Sequence, residues 1–241
     1  MAGHSHWKNI KRKKAVSDAR RGKEWSKVSR IITVAAQRGG GNPNDNPNLR
    51  LAMDKGRAVN MPNDTIEKAI KKGTGELGKA AYESVLYEGY GEGGVAILVD
   101  ALTDNRNRTA GEIRMIFDKG HGAVAGANAV GWMFTKKGII NIERSKIEEE
   151  KLMELALDAG AEDIQTSEEG YEVTTTLQDF EKVRQALVAA KIELAYAEVV
   201  MVPSQTVTVS GEGAQRVQKI IDALDDHEDV QNVYSNADIQ E

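Results

Sequence analysis

In residues 132–201 the spacing of apolar side chains changes repeatedly between two and about 3.6, in the order strand, helix, strand, strand, helix, strand. No other feature of the chain restricts its fold as much. The pieces are 132–142, 146–159, 162–166, 171–177, 179–190 and 192–201. Ser145 with Glu148, and Thr176 with Asp179, have the capping-box spacing that starts each helix. Glu168, Glu169 and Gly170 mark the turn between the middle strands. Helices confined to one face of a small antiparallel sheet bury both apolar faces, so the expected unit is a ferredoxin-like α/β sandwich.

The flanks are two incomplete units. Residues 82–90 and 94–102 alternate as strands around Gly91, Glu92 and Gly93, with Val95, Ile97 and Val99 on one side. A helix carrying Ile113, Ile116 and Phe117 follows, capped by Asp104, Asn105 or the Thr109/Glu112 box, and residues 120–131 read as a Gly/Ala connector. Beyond Pro203 come a strand at 206–209, a helix at 212–224 with Val217, Ile220, Ile221 and Leu224 on its apolar face, and a strand at 230–234. Neither part covers its sheet alone. Joined, they form a four-stranded sheet with two helices, interrupted by the domain inserted between them.

Ahead of the sheets lie three helical patterns, at 23–38, 49–59 and 64–72. The first carries Trp25, Val28, Ile32 and Ala35 inward, and 73–79 reads as a connection in which Gly73, Gly75 and Gly78 supply backbone freedom. The expected class is therefore α+β and multidomain: an N-terminal three-helix domain followed by two α/β-sandwich (ferredoxin-like) domains, one inserted in the other. Its boundaries fall at 1–22 (a basic flexible arm), 23–75 (a basic helical domain), 80–131 plus 204–241 (a discontinuous α+β domain) and 132–203 (the insert).

Charge follows these boundaries. Residues 1–72 hold 17 Lys or Arg against 6 Asp or Glu, a net of +11, and the remainder holds 15 against 31, a net of -16. The whole-chain value of -5 conceals a strongly basic front, and polyanion binding is judged on that part. Candidate contacts are His4, His6, Trp7, Lys8, Lys11, Arg12, Lys13, Lys14, Arg20, Arg21, Lys23, Lys27 and Arg30. The cations suit phosphates, Trp7 suits stacking on an exposed base or anchoring the arm, and the histidines suit phosphates or sugar hydroxyls. A secondary phosphate or partner site is expected at Arg106, Asn107, Arg108 and Thr109, where a strand turns into a helix N-terminus. The alternative there is structural, with Asp104 capping the helix and pairing with an arginine.

Several classes of chemistry lack residues. There is no cysteine, hence no disulfide scaffold, cysteine-ligated zinc or cysteine nucleophile, and a reducing compartment is the default. Gly89, Gly91, Gly93 and Gly94 lie between strands with no Gly-Lys-Ser/Thr ending, so neither a dinucleotide nor a P-loop site is supported. Glu148, Glu149 and Glu150 suit a helix start rather than a metal, and no catalytic constellation emerges. The expectation is a cytoplasmic non-enzyme without cofactor or metal. No stretch approaches the roughly 18–20 apolar residues that span a bilayer.

Five runs then carry a resemblance: Gly3-His4-Ser5-His6-Trp7-Lys8-Asn9-Ile10, Tyr87-Glu88-Gly89-Tyr90-Gly91, Ala101-Leu102-Thr103-Asp104-Asn105-Arg106-Asn107-Arg108-Thr109, Trp132-Met133-Phe134, and Asp229-Val230-Gln231-Asn232-Val233-Tyr234-Ser235-Asn236-Ala237. Together, and over nearly the whole chain, they resemble the YebC/PmpR family, whose mitochondrial relatives include translational activators. One departure is Gly111, where that family usually has alanine. The resemblance implies a three-domain, non-enzymatic protein, either a DNA-binding transcriptional regulator or a ribosome-associated translation factor that binds rRNA or tRNA and assists difficult sequences such as proline runs. A protein partner on the acidic domains, and a pure protein-interaction scaffold, are the further readings.

Overall fold

The computed structural model describes residues 18–78 and 81–240, with side chains in the first helix from residue 22 onward. They form two compact units. One holds residues 18–78 and 81–129 together with Glu212–Val233, and the other holds Val130–Gly211 together with residues 234–240.

The first unit begins with three helices, α1 (Asp18–Gly39), α2 (Pro47–Ala58) and α3 (Asn63–Thr74). α1 already runs ahead of the expected residue 23, and Gly22 sits in open space where the missing side chain costs only propensity. Val28, Ile32, Ala35 and Ala36 of α1 meet Leu49 and Ala52 of α2 and Ile66 and Ala69 of α3 in one buried cluster. Trp25 packs on its edge and donates its indole N–H to the Val59 carbonyl at 3.0 Å. Residues 40–46 are tied down by the buried Asn46, whose amide donates to the carbonyls of Ala35 (2.8 Å) and Gly40 (2.9 Å) while its oxygen caps α2 at the Leu49 N–H.

Gly73 is not part of a flexible connection. It lies inside α3, and a Cβ there would stand 2.3 Å from the Thr33 carbonyl oxygen and 2.7 Å from the Ala36 Cβ. Only glycine lets α1 and α3 approach this closely, so Gly73→Ala should cost at least about 2 kcal/mol in urea unfolding. Unchanged stability would show that the helices shift apart freely.

The same unit carries a four-stranded sheet in the order β3-β1-β2-β9, built from β1 (Glu83–Tyr90), β2 (Ala96–Thr103), β3 (Ala123–Ala125) and β9 (Val230–Ser235). β1 and β2 form the expected antiparallel hairpin, turned by Gly93 and Gly94 at φ +72° and +77°. The sheet packs against α4 (Arg106–Lys119), through Ile113 and Phe117, and α7 (Gly211–Asp225), whose Val217, Ile220, Ile221 and Leu224 are buried as the pattern requires. Its fourth strand differs from expectation. The Gly/Ala connector supplies β3, whose small side chains pair beside Gly89, where the Phe117 ring leaves no room for a Cβ.

The second unit contains β4 (Phe134–Glu143), α5 (Glu149–Ala159), β5 (Ala161–Thr166), β6 (Gly170–Thr175), α6 (Phe180–Ala189) and β7 (Tyr196–Pro203). Its antiparallel sheet, ordered β5-β6-β4-β7, is the ferredoxin-like arrangement. Ile140, Ile142, Tyr171 and Val173 face Leu152, Ala156, Val183 and Leu187 of the helices. The Thr176/Asp179 box forms, with Asp179 N–H donating to Thr176 Oγ at 3.0 Å, whereas α5 starts at Glu149 without a side-chain cap from Ser145 or Glu148. The strand expected at 206–209 is β8 (Val207–Val209), and it pairs in parallel with β10 (Ala237–Ile239) rather than entering the first sheet.

Candidate nucleic-acid interface

Lys23, Lys27 and Arg30 recur at intervals of four and three, which places them on one face of α1. That face meets the corner between α7 and β9, the acidic sequence Asp225-Asp226-His227-Glu228-Asp229. Lys23 Nζ lies 3.7 Å from the Asp226 carboxylate. Lys27 Nζ donates to the Asp225 carbonyl at 2.6 Å, at the negative end of α7. Arg30 donates to the Glu228 carbonyl, and its Nη2 stands 3.5 Å from the Glu228 carboxylate and 3.1 Å from Asp229 Oδ1.

Asp229 is the centre of this corner and is buried, with its side chain 2% exposed. Its Oδ2 accepts from Arg108 Nη2 at 2.7 Å, Thr109 Oγ at 2.6 Å and Thr103 Oγ at 3.3 Å. Its N–H donates to His227 Nδ1 at 3.1 Å, and its carbonyl accepts from the Leu102 N–H at 2.7 Å. Because Nδ1 accepts, the neutral ring carries its proton on Nε2, 2.9 Å from Glu112 Oε2. Asp229 Oδ1 has no aligned hydrogen bond among the described residues, so Arg30 holds it by charge alone. Burial by itself raises the Asp229 pKa, but the hydrogen bonds from Thr109 and Arg108 and the charges of Arg30 and Arg108 outweigh it and leave the carboxyl below its ordinary value.

Two runs quoted for the resemblance, one at 101–109 and one at 229–237, therefore meet in space. Arg108 and Thr109 are consumed there, Arg108 also pairing with Asp104 at 3.1 Å, and the cap of α4 is Asn105. Arg106 and Asn107 occupy the exposed first turn of α4. Sequence reasoning missed Asp229 itself; the available signal was the acidic corner preceding a strand, but 31 acidic residues beyond Lys72 offered too many partners. Glu112, His227 and Asp229 have ligand atoms within 4.8 Å of one another. With Arg30 and Arg108 already against Asp229, a dication would add positive charge to a compensated site, and the group is better described as an ion-pair network.

His4, His6, Trp7, Lys8, Lys11, Arg12, Lys13 and Lys14 lie outside the described residues, and Arg20 and Arg21 belong to α1 with side chains outside them. Elsewhere on the bundle Arg38, Arg50, Lys68 and Lys71 are exposed, and Lys72 Nζ contacts the Tyr82 hydroxyl at 3.0 Å. Gly111 is an exposed position in α4 with open space around it, so Gly111→Ala should raise stability by about 0.5–1 kcal/mol; a loss would reveal a contact at that face.

The class thus defined is an α+β protein with a helical domain ahead of sheet-containing domains. Residues 5–76 match the model of the TACO1/YebC protein N-terminal domain, and residues 82–237 match that of the TACO1/YebC second and third domain. The chain belongs to the TACO1/YebC family. It is 54% identical over its full length to a probable transcriptional regulatory protein of Natranaerobius thermophilus, covering 98% of that protein, and 52% identical to one of Geobacter sulfurreducens, covering 99% of this chain and 96% of that one. A crystal structure of a conserved hypothetical protein from Aquifex aeolicus matches with TM-score 0.81 and 42% identity over 93% of both chains. Among the described residues no helix is long and apolar enough to cross a membrane.

Proposed function

We propose that this protein is a non-enzymatic, cytoplasmic nucleic-acid-binding regulator of gene expression, acting on DNA as a transcriptional regulator. The observation that carries the reading is the net charge of +11 on residues 1–72 in a chain of net -5. Relatives called probable transcriptional regulatory proteins support the regulatory role. The contact is to the phosphate backbone, made by Lys8, Lys11, Arg12, Lys13, Lys14, Arg20 and Arg21, with His4, His6 and Trp7 beside them and Arg106 and Asn107 as a separate second patch.

One observation favours a second reading, in which the same cations grip ribosomal or transfer RNA. The connection between α1 and α2 spans residues 40–46, longer than a helix-turn-helix turn, so the described bundle offers no recognition helix of that kind for the major groove. Crosslinking in cells with sequencing of both recovered DNA and RNA separates the two. A reproducible promoter footprint supports the transcriptional reading. An enriched ribosomal RNA region without one overturns it in favour of the other, and recovery of neither leaves only a protein scaffold.

A further inference from the structure

We propose that the acidic corner Asp225–Asp229 is a built-in competitor for the phosphate backbone, occupying the Lys23 and Lys27 face of α1 until a polyanion displaces it. This rests on the nucleic-acid reading above and says how the described part of that surface is regulated.

The corner has the chemistry of a phosphate substitute. Four carboxylates fall within five residues, and two main-chain carbonyls add acceptors at the end of α7. They meet α1 along one face: Lys23 takes the Asp226 carboxylate, Lys27 the Asp225 carbonyl, and Arg30 Glu228 and Asp229. A nucleic-acid strand lying along α1 would offer a similar row of anionic oxygens to the same side chains.

The contacts are graded. Arg30 is only 13% exposed and stands against a buried carboxylate, so it is a fixed anchor. The Lys23–Asp226 pair has both side chains nearly half exposed, where an ion pair is screened and worth little. A polyanion gains counterion release on the same lysines, a term the corner lacks. The outer part of the face is therefore exchangeable while Arg30 and Asp229 stay together.

The consequence is a coupling measurable on the intact chain. In the wild type each lysine exchanges one anion for another, so Lys23→Ala with Lys27→Ala should reduce affinity for a short DNA duplex, or for a structured RNA of equal length, by no more than about twofold. Removing the competing carboxylate opposite Lys23, with Asp226→Asn, should raise affinity by about threefold and steepen the salt dependence by about one phosphate contact. In that background the same lysine pair should cost about threefold more than it does in the wild type, the non-additivity being the signature of competition. Asp229 and Arg30 are left intact, and urea unfolding confirms that each variant folds. Equal losses in both backgrounds would overturn the competitor while leaving the nucleic-acid reading standing. Failure of every form, including the wild type at low salt, to hold either probe would overturn both.

Discussion

Asp229→Ala should lower the stability of the unit that contains it by about 3–5 kcal/mol, the range for removing one partner of a buried ion pair. The variant leaves Arg30 facing a vacancy and removes one acceptor from each of Arg108, Thr109 and Thr103. Asp229→Asn, which keeps the shape and loses the charge, should recover only part of the loss. Urea midpoints followed by circular dichroism measure both. A change below about 1 kcal/mol for the alanine variant would mean that the network is ornamental and that burial of β2 and β9 alone holds the corner. The pH dependence has a definite sign. Since the folded carboxyl lies below its ordinary value, its contribution is present above the ordinary carboxylate range and is lost as pH falls through the folded value.

The opposite sign is expected in the other unit. Glu172 on β6 is 4% exposed and accepts from the Asn141 amide at 3.1 Å. Burial pushes its pKa up to about 7 from 4.5; the Asn141 hydrogen bond works against the rise and the charge of Asp163 adds to it. A raised carboxyl contributes stability that is complete below the unfolded value and is lost as pH climbs from 4.5 to 7. Glu172→Gln should therefore stabilise its unit by about 3 kcal/mol at pH 8 and by little at pH 4. The measurement is a pair of urea titrations at those two pH values. Equal effects at both would show that the carboxyl stays ionised in the fold and has found a partner beyond Asn141. Acid should accordingly weaken the Asp229 corner while relieving Glu172, so the two units separate in their unfolding as pH is lowered.

The extent to which the sequence revealed this molecule depended on the length of each signal. The order of elements from 132 to 203 was readable because every strand and helix there is long enough to show its period, and the buried face of α7 because Val217, Ile220, Ile221 and Leu224 repeat at helical spacing. β3 and β10 have three residues each, too few for a period, and their pairing is decided by what lies beside them. Gly73 read as freedom because glycine permits both freedom and close approach, and only the neighbouring Thr33 carbonyl tells which.

For the candidate site the charge division was legible and the pairing was not. Arg106, Asn107, Arg108 and Thr109 read as a phosphate or partner site, with the structural alternative of an arginine paired to Asp104; that pair forms at Arg108, and a buried carboxylate 121 residues beyond Arg108 is its companion. Lys23, Lys27 and Arg30 stand in the sequence as cations for a polyanion, and their intervals of four and three put them on one side of a helix. Their present partners lie about 200 residues away, a separation at which charge alone selects nothing.

The most direct measurement is the salt dependence of nucleic-acid binding by the full chain, compared with a variant in which Lys11, Arg12, Lys13 and Lys14 are alanine. If residues 1–72 grip a phosphate backbone, log affinity should fall linearly with log salt, and the variant should lose about three to four units of that slope together with most of its affinity. An unchanged slope, or no retention of DNA or RNA by the wild type at low salt, would contradict the account.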